Sequence, residues 1–201
     1  HLTARYNQEV AGGKWNHMMS MSPNAGANSQ FDQVYAALST EVNDVQGGLL
    51  PVDDNVYVDA SAYTSSRGDW MRIDNLGVGD HSMTVGPMDY TTYTAATARS
   101  RGPYLEYRLP LEKGKYQIVV RCLPTFPVTP GADLVVGMSM GSGSVSQSSI
   151  KAGAETNVWN DNVMHGYAEA RFTYSATSAK DYRMRVYAMN PALVVSQIVY
   201  R

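Results

Sequence analysis

The chain has 201 residues, of which 44% are hydrophobic and 17% charged, with a formal net charge of -2; this fits one ordinary domain with a short extension. The balance provides no electrostatic footprint for nucleic acid or an anionic membrane surface, and no apolar run reaches the roughly 18 residues that span a bilayer. Cys122 is the lone cysteine, which excludes an intrachain disulfide and a cysteine-rich zinc site.

In chain order, the first residues, LTARYNQEVAGG, predict a short helix that stops at Gly12-Gly13. The segment GGKWNHMMSMSP follows, with Trp15, His17 and Met18 close together. Histidine and methionine can ligate copper, but no second tract of soft ligands accompanies them, so a packing strap is the expectation. In that reading Trp15, His17 and Met18 anchor the strap, the ring and thioether by burial and His17 by hydrogen bonding. The chain opens at His1 without an initiator methionine, and a processed product or a piece of a larger protein is expected.

From about Val52 the apolar period changes to two. NVYVDAS, PYLEYRLP, KYQIVVRCL, LVVGMSM, ARFTYS, YRMRVYAM and LVVSQIVY alternate, with LEKGK, TPGAD and TSAKD as turns. GSGSVSQSS reads either as a linker or as a hairpin. Such a series predicts a mainly β fold, an antiparallel, jelly-roll-like β-sandwich with a short helical and loop N-terminal extension. The expected division is residues 1–51 as strap and 52–201 as sandwich. Cys122, in an apolar strand, is expected to be a buried, inert thiol.

No nucleophile elbow, zinc-protease pair or phosphate loop is present. The aspartates fall mostly in turns, where they bond their own backbone. VDDN and DNLGVGDH offer oxygens to calcium without matching a ligand template. No catalytic residue, metal or cofactor is therefore expected. Tyr90, Tyr93 and Trp159 are the candidate sugar-contact aromatics, whereas Trp70 is expected to pack in the core. Arg99 and Arg101, in TARSRG, are candidates for a ligand carboxylate, with solvated loop arginines as the simpler reading.

Six segments recur in one order: GGKWNHMM, DWMRIDNLG, PYLEYRL, GKYQIVVRCLPTFP, WNDNV and NPALVVSQIVY. In this order they resemble the C-terminal region of glycoside hydrolase family 115, the xylan α-1,2-glucuronidases. The resemblance implies a large exported bacterial enzyme, periplasmic or extracellular, with a catalytic barrel and a helical domain upstream, residues 1–51 being the tail of that helical domain. Such an enzyme removes glucuronic acid or its 4-O-methyl ether from xylan or related plant glycans. A barrel needs about 250 residues, so the catalytic groups would lie outside this chain. It is then expected to be a non-catalytic fragment that completes or dimerises the parent, with the parent's other domains and a second copy as partners. The alternative is a carbohydrate-binding module that takes plant polysaccharide on exposed aromatics. One departure is Asn190-Pro191-Ala192, where a glycine-bearing turn is expected; loss of the easiest route to positive φ predicts a shifted turn.

Overall fold

Alternating residues bury one face of each strand, and two such faces close on one another to form the core. The computed structural model describes residues 54–89, 91–129, 132–150 and 157–201, and Asp54–Arg201 make one compact unit. Eleven strands and two helices follow one another in the described residues: β1 (Val56–Asp59), β2 (Ser65–Arg67), β3 (Asp69–Asp74), β4 (His81–Gly86), α1 (Ala95–Arg101), β5 (Tyr104–Leu111), β6 (Gly114–Cys122), β7 (Val135–Met140), β8 (Ser146–Ser149), α2 (Asn157–His165), β9 (Ala168–Ala176), β10 (Lys180–Ala188) and β11 (Val194–Tyr200). Trp15, His17, Met18 and Tyr90 lie outside the described residues.

Two sheets form an antiparallel sandwich. The six-stranded sheet runs β3-β4-β11-β6-β9, with β1 also on β11, and the five-stranded sheet runs β2-β5-β10-β7-β8. β11 pairs with β6 along one edge and shares its other edge between β4 and β1. Leu105, Tyr107, Leu109 and Leu111 of β5 face Ile118, Val120 and Cys122 of β6 across the core, with Met184 and Val186 of β10 beside them. Burial pushes the Cys122 thiol far above its usual range, as expected of an inert structural cysteine.

Consecutive strands often switch sheets rather than pair. β5 belongs to the five-stranded sheet and β6 to the six-stranded one, joined only by Glu112 and Lys113. The Tyr116 hydroxyl pins this corner, accepting from the Glu112 N–H at 3.0 Å and donating to its carbonyl at 3.2 Å. The β9–β10 corner is held the same way by the Tyr182 hydroxyl, which accepts from the Thr177 N–H at 3.2 Å and donates to Ser178 O at 3.0 Å. GSGSVSQSS is a hairpin, because β7 and β8 pair from Val135↔Ser149 to Met138↔Ser146.

Three local features differ from expectation. The stretch after Tyr93 forms α1, and Asn157–His165 forms α2; both are short, and only packing stabilises helices of such length. In the NPA turn the alanine is not displaced: Ala192 itself takes φ 69°. Trp70 is half-buried, packs on the edge of the core and donates its indole N–H to Arg67 O at 3.0 Å.

Candidate functional site

Three connections cross between the sheets at one end of the sandwich: Gly68 between β2 and β3, the loop and α1 between β4 and β5, and the β10–β11 turn. They enclose a cleft of about 170 Å³ lined by Gly68, Asp69, Gly86, Pro87, Asp89, Thr91, Tyr93, Arg101, Pro103, Asn190 and Pro191, among others. The Gly86-Pro87 peptide is cis. Tyr93 and Arg101, two of the sequence candidates, meet here.

Helix α1 sets their positions. Thr94 caps it, accepting from the Thr97 N–H at 3.2 Å while Thr97 Oγ1 accepts from the Thr94 N–H at 2.8 Å. This reciprocal box satisfies two donors that a helix start leaves open. Before the cap, the Tyr93 N–H donates to Met189 O at 2.9 Å. The helix buries Ala98 in a satellite cluster with Val145, Tyr187 and Met189, on which Tyr93 also packs. At its far end Arg67 of β2 donates from Nε to Gly102 O at 2.7 Å, from Nη1 to Ser100 O at 2.9 Å and from Nη2 to Ala98 O at 2.7 Å. A guanidinium there satisfies the last carbonyls and complements the negative end of the helix dipole. Gly102 is required by space: a Cβ on it would stand 2.6 Å from Ala98 Cα.

The cleft is polar and small enough to take one sugar ring. Asp69 and Asp89 supply carboxylate acceptors and Arg101 a guanidinium fork, while Tyr93 and the prolines supply apolar surface. Asp89 Oδ1 is partly engaged, accepting the Thr91 N–H at 2.9 Å. Asn190 Oδ1 accepts the Val135 N–H at 2.9 Å, which ties the β10–β11 turn to the start of β7. The two arginine candidates separate: Arg99 donates to the carbonyls of Ser142, at 2.6 Å, and Gly143, buttressing the β7–β8 turn rather than entering the cleft. Trp159 is also elsewhere. It sits on α2 and stacks on Phe126 with ring centroids 5.0 Å apart, and the same helix leaves Val158, Val163 and the 85% exposed Met164 at the surface. Asp69, Asp89 and Asn190 were missed in the sequence because each resembles an ordinary turn residue. The nearest available signal was the recurrence of Asp and Asn beside Gly and Pro.

Among the described residues no group of three or more His, Cys, Asp or Glu side chains is arranged to hold a metal ion. No helix among them is long and apolar enough to cross a membrane.

Fold and cleft define an antiparallel β-sandwich with a polar pocket at the sheet-crossing end. The fold is shared with a family 115 4-O-methyl-α-glucuronidase that has specificity for decorated arabinogalactans, at TM-score 0.57 and 14% identity over 84% of this chain and 24% of that one. It is also shared with a mannanase from Podospora anserina that carries a family 35 carbohydrate-binding module, at TM-score 0.50 and 11% identity over 74% of this chain and 27% of that one. The chain thus spans about a quarter of the length of each, as those shares state. A comparison with curated protein sequences found no significant match. The family model for the glycosyl hydrolase family 115 C-terminal domain matches residues 50–201, and the chain belongs to that family.

Proposed function

We propose that this chain is the non-catalytic C-terminal β-sandwich of a glycoside hydrolase, and that it completes and assembles the larger enzyme. The observation that carries this reading is the family match over residues 50–201, in a chain corresponding to only 24% of the family 115 structure. The apolar surface of α2 and Phe126 supports a packing role, since it offers exposed Val158, Val163 and Met164 to the parent's remaining domains or to a second copy. The parent is an exported enzyme, periplasmic or extracellular, that removes glucuronic acid or its 4-O-methyl ether from xylan or a related plant glycan.

The test compares this chain with the longer protein obtained by reading the gene upstream of His1. The longer protein should release the uronic acid from glucuronoxylan or decorated arabinogalactan, and this chain alone should release none. Release by the chain alone, or an inert longer protein, would overturn the proposal. Light scattering on both checks dimer assembly; strictly monomeric behaviour of both would remove that part.

The end cleft favours a second reading, a carbohydrate-binding module. Calorimetry with neutral oligosaccharides of xylan and galactan tests it, with Arg101→Ala and Tyr93→Ala expected to abolish the heat. No binding at millimolar ligand would retire this reading.

A further inference from the structure

Both outer faces carry polar rows. On the five-stranded sheet, α1 and its satellite cluster close over Tyr104 and Tyr187, and Arg185 pairs with Glu106 in the next row. On the six-stranded sheet, antiparallel register builds rows of outward side chains. Gln197, Arg121 and Glu169 stand opposite one another across β11, β6 and β9. Tyr57, Val199, Val119 and Arg171 form the next row. Gln117 follows, linked to Arg201 by backbone bonds in both directions.

These rows border a groove of about 120 Å³ with Val119 and Val199 among its lining. Arg121 donates to Glu169 Oε1 at 3.2 Å and to Gln197 Oε1 at 3.1 Å. Arg171 pairs with the same carboxylate, and Arg201 donates to Gln117 Oε1 at 3.1 and 2.8 Å. Two guanidiniums thus share the Glu169 carboxylate and the third rests on a neutral amide, so the side chains of this groove count three guanidiniums to one carboxylate, in a chain whose net charge is -2. The nearby acid Asp59, in register with Gln197 at the sheet edge, is turned toward Ser61 and His81. Two rings bracket Arg121: its Cζ lies 4.4 Å from the Tyr167 centroid and 5.8 Å from that of Tyr57. Glu169 and Arg171 also line an adjoining groove of about 410 Å³ with Tyr167, Asn162, His165 and a second acid, Asp161, so the surface lengthens there with one further carboxylate.

We propose that this face binds a uronate-bearing polysaccharide. Arg171 and Arg201 pair with the uronate carboxylate, while Tyr57 and Tyr167 present rings to the sugars. Guanidinium keeps its charge at any physiological pH and matches a carboxylate with parallel N–H donors. Arg121, held by Glu169 and Gln197 between the two rings, positions the platform; Arg171, paired with Glu169 through Nη2, keeps 60% of its side chain exposed to solvent. The preference for an anion rests on the charges alone. The choice of polysaccharide as its carrier rests on the enzyme reading above.

Affinity electrophoresis of the whole chain in gels containing glucuronoxylan, or the same polymer with its carboxyl groups reduced, tests the inference. Retardation is expected with the first polymer only, weakening as sodium chloride is raised. Arg171→Gln and Arg201→Gln should each weaken binding about threefold, and the pair about tenfold, the range of exposed charge pairs. Arg108→Gln, on the exposed side of the five-stranded sheet opposite Arg183, should leave it unchanged. Arg171→Lys, which keeps charge but loses the fork, should fall between wild type and Arg171→Gln, and unchanged thermal melts confirm that each variant is folded. Equal retardation by the reduced polymer, a double variant that binds like wild type, or absence of retardation would each overturn the inference. So would equally tight binding of polyglutamate, which would assign the face to an acidic protein. None of these outcomes bears on uronic acid release by the longer protein, so the two proposals fail separately.

Discussion

Ala192 carries a conformation that glycine adopts without penalty. At φ 69° its Cβ crowds the backbone, which costs an L-residue about 1–2 kcal/mol. Ala192→Gly should therefore raise stability by about 1 kcal/mol, less the entropy a glycine loses on folding; the midpoint of urea unfolding measures it, and an unchanged midpoint would mean that the turn relaxes around alanine. Asp59 provides a pH signature. Burial opposes its ionisation, but the Ser61 hydroxyl, the N–H groups of Ser61 and His81 and the nearby His81 imidazole outweigh that, and its carboxyl sits below the usual range. The Ser61 and His81 N–H bonds are 2.9 and 3.0 Å long. A depressed folded pKa means that the stabilisation is complete above the unfolded value of about 3.9 and is lost as pH falls through the lower folded value. Thermal melts from neutral pH into acid should show that decline in the wild type. Asp59→Asn should lower stability at neutral pH and flatten the acid limb; an identical acid limb would remove Asp59 from the account.

At the scale of elements, α1 shows how far local sequence reasoning reached. The seven residues of Ala95–Arg101 are too few for propensity to hold a helix in water. The cap Thr94 and Thr97 are three residues apart in sequence, but Arg67, which satisfies the other end, lies 31 to 35 residues away. Arg67→Ala should cost about 1–2 kcal/mol, discounted for its partial exposure. It should also speed hydrogen exchange at the amides of α1 while the core of β5 and β6 stays protected. Arg67→Lys should not restore protection, since one ammonium cannot serve three carbonyls in a fixed fork. Unaltered exchange in Arg67→Ala would show that the satellite cluster around Ala98 suffices. Because α1 carries Arg101 and follows Tyr93, its absence from the sequence reading also hid the cleft. Those two residues were singled out for chemistry, and only the helix brings them together. Trp159 and Arg99 were chosen on the same grounds and point elsewhere.

At the scale of the molecule, the two sheets are held by apolar burial and by a few polar ties. The Tyr107 hydroxyl, fully buried on β5, donates to Ala60 O at 2.7 Å, linking the five-stranded sheet to the turn after β1. Tyr107→Phe leaves that carbonyl without its donor and should cost about 1–2 kcal/mol by denaturant unfolding; a neutral result would mean that Ala60 O finds another partner. The strands themselves were legible because burial on one face imposes a period of two, visible in the residue order of PYLEYRLP and KYQIVVRCL. The sandwich class followed from their number and from the turns between them. Five of the six ordered segments that resemble family 115 fall within residues 50–201, which the family model matches; GGKWNHMM, at residues 12–19, lies outside the match. The partition of strands between sheets was not legible, since Glu112-Lys113 looks like a hairpin turn yet carries the chain from one sheet to the other. Nor was the arginine face. Arg121, Arg171 and Arg201 are 50 and 30 residues apart in their numbering, and only the registers of β11, β6 and β9 set them side by side. Periodic burial is a local property that each strand writes into its own residues. Pairing, crossing and the convergence of charges depend on contacts between distant segments, and those were decided by the tertiary structure alone.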